Sequence, residues 1–267
     1  PAALRKAISV ARMEAGKQNV SADMMKKIGS ALKQNLITLS PGTLNLTIEG
    51  GKKLRGTITT STSKNGAVGL LCASLLNRGT TTLRRMPRIE EVHRLIEVLE
   101  SIGVRVEWNG SDVTITPPKK LSLKNIDKDA ARKTRSIVMF IGPLLHRLPH
   151  FTIPQSGGCK LGSRTVKPHF FALEHFGVDI KTTDDSFVVT TTAQAPREII
   201  LYESGDTVTE NVLMAAALSP HTTTIKYASA NYMVQEMCTF LKALGVHIEG
   251  IGTTTLTVTG VADIHTD

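Results

Sequence analysis

Aromatic side chains are scarce in these 267 residues: seven Phe, three Tyr and one Trp. So few rings argue against folds that read RNA by stacking bases on exposed aromatics. Cysteine is scarcer still. Cys72, Cys159 and Cys238 are odd in number, lie 87 and 79 residues apart and form no C-x-x-C pair. That pattern argues against a disulfide framework and against a zinc site of the usual kind; it fits a reducing, cytoplasmic setting. No apolar run approaches the roughly 18 residues of a membrane-spanning helix. G-x-G-x-x-G, G-x-x-x-x-G-K-[ST] and H-E-x-x-H are all missing. Gly250-Ile251-Gly252 runs into threonines within a hairpin pattern, so it is no dinucleotide fingerprint. The eight histidines are scattered. No metal, no cofactor and no membrane partner are therefore expected.

What is present is enough for a core. The chain is 41% hydrophobic and 21% charged, which is the balance of a globular protein. Its net charge of +9 is uneven. Residues 1–38 hold seven Lys/Arg against two Asp/Glu, so this short head carries more than half of the excess. A basic head suggests an anionic partner. Ser21 would cap a helix whose apolar residues are Met25, Ile28, Leu32 and Leu36, behind a basic helix that stops near Gly16. This all-helical segment resembles the second half of a phage-repressor-like helix-turn-helix domain. DNA is accordingly a candidate partner for 1–38, set against a solvated helical pair with no such role. The chain opens on Pro1 rather than Met, the expectation for a fragment or a processed form.

Beyond a linker at 39–42 the sequence repeats itself. An amphipathic helix, a Gly, an alternating strand, a polar turn and a second alternating strand recur three times. The helices stop at Gly103, Gly177 and Gly245, which are 74 and 68 residues apart. The strands that follow begin Val104-Arg105-Val106, Val178-Asp179-Ile180 and Val246-His247-Ile248, and each reads with period two. Another helix precedes each copy, at 66–76, 135–145 and 208–218, followed by a strand such as Thr80–Leu83 or Thr222–Ile225. The unit reads βαβαββ. Three of them predict an α/β body with quasi-threefold symmetry.

Chemistry has to come from the breaks in this repeat. In Gln155–Arg164 two glycines precede Cys159, a third follows, and basic residues flank it. Glycines allow backbone to approach a ligand, and cationic neighbours favour the thiolate. Cys72 and Cys238 lie inside apolar helices and read as inert core residues. Ser61–Gly66 is a strand-to-helix junction with a lysine and an amide, suited to an anion or to an ordinary cap. Ala131–Ser136 puts Arg132, Lys133 and Arg135 at the start of an apolar helix, where the helix dipole opposes them unless an anion offsets it.

The repeat, Ser63-Lys64-Asn65, Arg135, Gly157-Gly158-Cys159 with Gly162-Ser163-Arg164, and Thr209-Glu210-Asn211 together resemble the enolpyruvyl transferases over about residues 43–262. Within them they are most similar to the branch that acts on UDP-N-acetylglucosamine. The resemblance implies a two-globe protein of inside-out α/β barrel type, three units to a globe. It gives 61–259 to one whole globe, and the strands of 43–60 and the tail 260–267 to the other. It implies transfer of the enolpyruvyl group of phosphoenolpyruvate to a sugar hydroxyl. Cys159 would be the acid, Lys64 would meet phosphoenolpyruvate and Asn65 the sugar. Arg135 and Arg164 would clamp phosphate oxygens, and His169 would lie near the nucleotide. Other family residues would lie in a second half, so little turnover is expected from this chain alone.

The chain departs from that pattern. The stretch Thr165-Val166-Lys167-Pro168-His169 puts Lys167 where the family commonly has an acid, and Ala230–Val234 replaces an acidic, Pro-containing stretch. Three other readings stand beside the transferase. They are a DNA-binding regulator whose body senses a nucleotide sugar, a shikimate-pathway enolpyruvyl transferase, and a paralogue without activity. The Gly-Gly-Cys loop argues against the shikimate branch, and Lys167 is the main motive for the inactive paralogue.

Overall fold

The computed structural model describes residues 53, 55–155, 165–192 and 194–266. Residues 1–38, expected to be helical, the linker 39–42 and the stretch 156–164, with Cys159 and Arg164, lie outside the described residues. The chain divides into two compact units, 1–62 with 88–90, and 63–87 with 91–267. In the first unit, the described stretch 55–60 carries no strand. A strand needs a neighbour to complete its hydrogen bonds, and no sheet of the described residues includes this stretch.

The second unit holds the repeat. Helix α1 (Lys64–Ala73) continues into a 3₁₀ turn at Ser74–Leu76. Strand β1 (Thr81–Leu83), α2 (Glu90–Ser101), β2 (Arg105–Asn109) and β3 (Asp112–Thr116) complete the first copy. The second has α3 (Lys128–Arg132), a 3₁₀ helix at Arg135–Phe140, α4 (Ile141–Leu144), β4 (His150–Pro154), α5 (Lys167–Glu174), β5 (Val178–Thr182) and β6 (Ser186–Thr191). The third has β7 (Glu198–Ile200), α6 (Asp206–Ala217), β8 (Thr222–Lys226), α7 (Tyr232–Ala243), β9 (His247–Glu249) and β10 (Thr255–Thr259). The sheets are β1-β3-β2, β4-β6-β5 and β7-β8-β10-β9. Every pairing is antiparallel except β7 with β8. Among the described residues, only the third copy has the leading strand of the expected βαβαββ unit.

Alternation explains the strands. In β3, Val113 and Ile115 are buried while their neighbours are half-exposed; in β10, Leu256 and Val258 do the same. Gly103, Gly177 and Gly245 take φ of +96°, +74° and +98° where their helices end, a conformation that side chains resist.

Helix α6 is different. All ten residues Val208–Ala217 are buried. A helix covered on every side is interior, and α6 touches α1, α4, α5, α7, β10 and the 3₁₀ helix.

One expectation is corrected. The run 135–145 is not one α-helix, because it starts as 3₁₀ and turns α only at Ile141. Pro143 has no N–H to continue the ladder, and Gly142 lies against the α6 backbone, so tertiary packing overrides the apolar period there. The tail has partners in this unit. Val261 donates its N–H to Ala217 (3.0 Å), Ile264 accepts from the Arg78 N–H (2.8 Å), and the Ile264 side chain is buried.

Candidate functional site: a closed circuit of helix starts

Ser63 caps α1 by accepting the Gly66 N–H at 3.1 Å. Its Oγ also lies 3.1 Å from the hydroxyl of Tyr232, the first residue of α7. Lys64 forms an ion pair with Glu91 at the start of α2. Glu91 Oε1 accepts the Ser136 hydroxyl at 2.6 Å and the Thr134 hydroxyl at 2.9 Å, which bracket Arg135. Arg135 Nη2 donates to the carbonyl of Thr165, just before α5, at 2.9 Å. From α5, His169 Nε2 lies 3.3 Å from Thr207 Oγ1 in the first turn of α6. Asp206 accepts the Ser229 hydroxyl at 2.5 Å and the Asn231 amide at 3.3 Å, and Asn231 caps α7. Tyr232 then leads back to Ser63. The starts of six helical segments are thus joined in one closed circuit.

This arrangement has an electrostatic consequence. Each helix start exposes N–H groups and the positive end of a dipole. The 3₁₀ helix and α5 have no acid in their first turns, and neither has α1. Gly205 caps α6 without a side chain. Lys64 and Asn65 are exposed and Arg135 is half-buried. Exposed Lys167 opens α5. Such a surface suits an anion with several oxygens. Ser63→Ala removes one cap and one link; urea unfolding is expected to show a loss of about 1 kcal/mol.

Beneath the surface, one chain of hydrogen bonds is fixed by its end members. Asn211 Oδ1 accepts the Gly142 N–H (2.9 Å) and its Nδ2 donates to the Val138 carbonyl (3.1 Å), which sets the amide orientation. The same Nδ2 faces His169 Nδ1 at 3.2 Å, so Nδ1 accepts and the ring proton sits on Nε2. Nε2 then donates to Thr207, whose own hydroxyl hydrogen remains available to another acceptor. Burial and then the nearby Arg135 charge push His169 down to about 3, so the ring is neutral. His169 is 3% exposed with both nitrogens engaged. Its reach to the surface runs through Thr207.

Lys64 and Arg135, picked from the sequence, thus lie on the circuit, Asn65 is exposed beside Lys64, and buried His169 links α5 to α6 within it. Glu91 and Tyr232 have no functional reading in the sequence; Thr134 and Ser136 lie in the basic stretch 131–136, and Thr207 in the turn Gly205–Thr207 that the family resemblance places against the nucleotide. For Glu91 and Tyr232 the available signal was a polar residue at or near a helix start. Cys72 and Cys238 are buried as expected, and burial pushes their thiols up, Cys238 to about 12. Among the described residues, no three His, Cys, Asp or Glu side chains are grouped to hold a metal ion, and no helix is long and apolar enough to cross a membrane.

Known proteins share this framework. The family EPSP synthase (3-phosphoshikimate 1-carboxyvinyltransferase) matches residues 48–267. UDP-N-acetylglucosamine 1-carboxyvinyltransferase of Bradyrhizobium diazoefficiens is 33% identical over 217 residues, 81% of this chain and 50% of that protein. The protein of the same name from Campylobacter fetus is 35% identical, over 80% of this chain and 51% of its own length. The chain therefore spans about half the length of the relatives it matches. The enolpyruvyl transferase NikO from Streptomyces tendae shares the fold with a TM-score of 0.71 at 21% identity, over 82% of this chain and 52% of its own. The family match covers most of the chain, including every residue of the circuit, and so the chain belongs to the EPSP synthase family of enolpyruvyl transferases.

Proposed function

We propose that this chain supplies one half of an enolpyruvyl transferase that uses phosphoenolpyruvate and UDP-N-acetylglucosamine. The observation that carries this reading is the circuit of helix starts bearing Lys64 and Arg135. Both substrates are polyanions, and fixed cations plus helix dipoles let them approach one another. The named relatives at 33–35% identity favour the nucleotide sugar over shikimate 3-phosphate as acceptor. We read 61–259 as one inside-out α/β barrel globe and the setting as cytoplasmic synthesis of peptidoglycan precursors.

The chemistry is addition followed by elimination. A proton goes to the vinyl CH₂ of phosphoenolpyruvate, making a methyl group and an oxocarbenium-like carbon. The sugar 3-hydroxyl oxygen bonds to that carbon and loses its proton, giving a tetrahedral ketal. The methyl then returns a proton, the C–O bond to phosphate breaks, and enolpyruvyl ether and inorganic phosphate are released. Cys159 is the acid in this reading. Lys64 holds phosphoenolpyruvate, Asn65 the sugar, and Arg135 and Arg164 the phosphate oxygens. His169 acts on the nucleotide through the Thr207 hydroxyl. The remaining groups come from a second half, and the chain alone turns over negligibly.

The test is phosphate release by the parent protein. Release that requires both phosphoenolpyruvate and UDP-N-acetylglucosamine, with none from shikimate 3-phosphate, is expected. A folded, ligand-binding protein that releases no phosphate overturns the reading.

A further inference from the structure

Glu91 stands between two of the cations on the circuit. Its side chain is 21% exposed. Burial works to raise its pKa, yet hydrogen bonds from Lys64 and Ser136, the Lys64 charge and the Thr134 hydroxyl outweigh it and hold the carboxyl below the usual range. It is therefore an ionised carboxylate with both oxygens committed. Oε2 holds the Lys64 ammonium, and Oε1 holds the hydroxyls on either side of Arg135. Thr134 also caps the 3₁₀ helix by accepting the Ser136 N–H at 3.1 Å, so the turn that presents Arg135 is fixed from both directions.

An acid is an odd choice here if the site only had to attract anions. Its charge repels the same ligand that Lys64 and Arg135 attract. Its contacts supply the explanation, because three donors from α1 and the 134–136 turn converge on it. We propose that Glu91 is a positioning residue that fixes Lys64 and Arg135 relative to one another, an inference that rests on the transferase reading for what those cations act upon. A long lysine otherwise samples many rotamers, and two neighbouring cations otherwise spread apart. The carboxylate holds both before substrate arrives, at some loss of raw attraction.

That trade gives a distinctive signature. Glu91→Gln keeps a carbonyl oxygen for the two hydroxyls but turns an amide donor toward Lys64. Removing the negative charge cannot weaken the pull on an anion. In the parent protein, kcat is expected to fall by about tenfold or more, while KM for phosphoenolpyruvate stays level or falls. Glu91→Asp, which keeps the charge on a shorter arm, is expected to recover part of kcat. A second measurement needs no turnover. In this chain, the ¹⁵N–¹H signal of the Arg135 side chain and the signal of ¹³C-methylated Lys64 are both expected to move on Glu91→Gln. Unmoved signals overturn the proposal. So does an unchanged kcat, or a KM that rises while kcat holds. A parent protein without activity whose two signals nevertheless move overturns the transferase reading and supports the positioning of the cations.

Discussion

Gly142→Ala is expected to destabilise the second unit by about 3–5 kcal/mol, the sum of overpacking and a broken buried hydrogen bond. A Cβ at this position would lie 2.4 Å from Asn211 Oδ1, 2.6 Å from the Asn211 backbone oxygen and 3.2 Å from Met214 Cβ. The side-chain oxygen could swing away, but the backbone oxygen belongs to α6, whose residues 208–217 are buried on every side. Either α4 or α6 has to move. Movement also strains the Gly142 N–H bond to Asn211, and with it the amide that holds His169 through Nδ1. Thermal unfolding is expected to show a fall of roughly 10 °C or more in Tm for a unit of this size. Gly245→Ala is the contrast. Its φ is +98°, but nothing lies within 4 Å of the added carbon, so only backbone strain of about 1 kcal/mol is expected. If Gly142→Ala costs no more than Gly245→Ala, the close approach of α4 to α6 is not what shapes the core.

Gly142 also shows where sequence reasoning stops. The three helix-ending glycines were legible because each sits between a period of 3.6 and a period of two, and that change is local. Gly142 interrupts an apolar run, and its reason lies 69 positions away in Asn211. The circuit has the same character. Ser63 and Tyr232 are 169 positions apart, and Glu91 lies 43 and 45 positions from its hydroxyl partners. Lys64 and Arg135 could be picked because cations at helix starts are chemically conspicuous, and Asn65 because its amide stands beside that lysine at the same helix start. Glu91 could not, because an acid in the first turn of an amphipathic helix is ordinary. Only the fold reveals that it faces a lysine and two hydroxyls. His169 was read as a nucleotide neighbour, and the structure puts the Thr207 hydroxyl between its ring and the surface. The tail's contacts are non-local in the same way. Residues 260–266 have no period of their own, and their place comes from carbonyl and amide partners on Arg78, Asn77 and Ala217.

Glu210→Gln should stabilise the protein at high pH and leave it unchanged at low pH. Glu210 is 1% exposed on α6, and neither carboxyl oxygen has a hydrogen-bond partner among the described residues. A Cβ at Gly69 of α1 would lie 2.8 Å from Oε1, so α1 closes over the carboxyl. Burial, then the charges of Asp206 and Glu236, raise its pKa to about 8. Cys72 and Cys238 also feel its charge, and the same interaction pushes both thiols further up. The sign follows from proton counting. Above an ordinary glutamate's range the unfolded chain gives up this proton while the folded chain keeps it. The folded state binds more protons, so stability declines as pH rises and levels off only above about 8. Each unit of separation is about 1.4 kcal/mol, which puts the accumulated loss on the order of 4 kcal/mol by pH 8. Glutamine keeps the shape and polarity but cannot ionise. Urea unfolding from pH 5 to 9 is therefore expected to give coincident curves near pH 5 and a gap that widens in favour of Glu210→Gln toward pH 8. A ¹³C carboxyl titration supplies the independent check. Equal pH slopes in the two proteins, or a Glu210 carboxyl already ionised at pH 6, would mean that a cation or a donor reaches this carboxyl and that α1, α6 and α7 close around a charge rather than a proton.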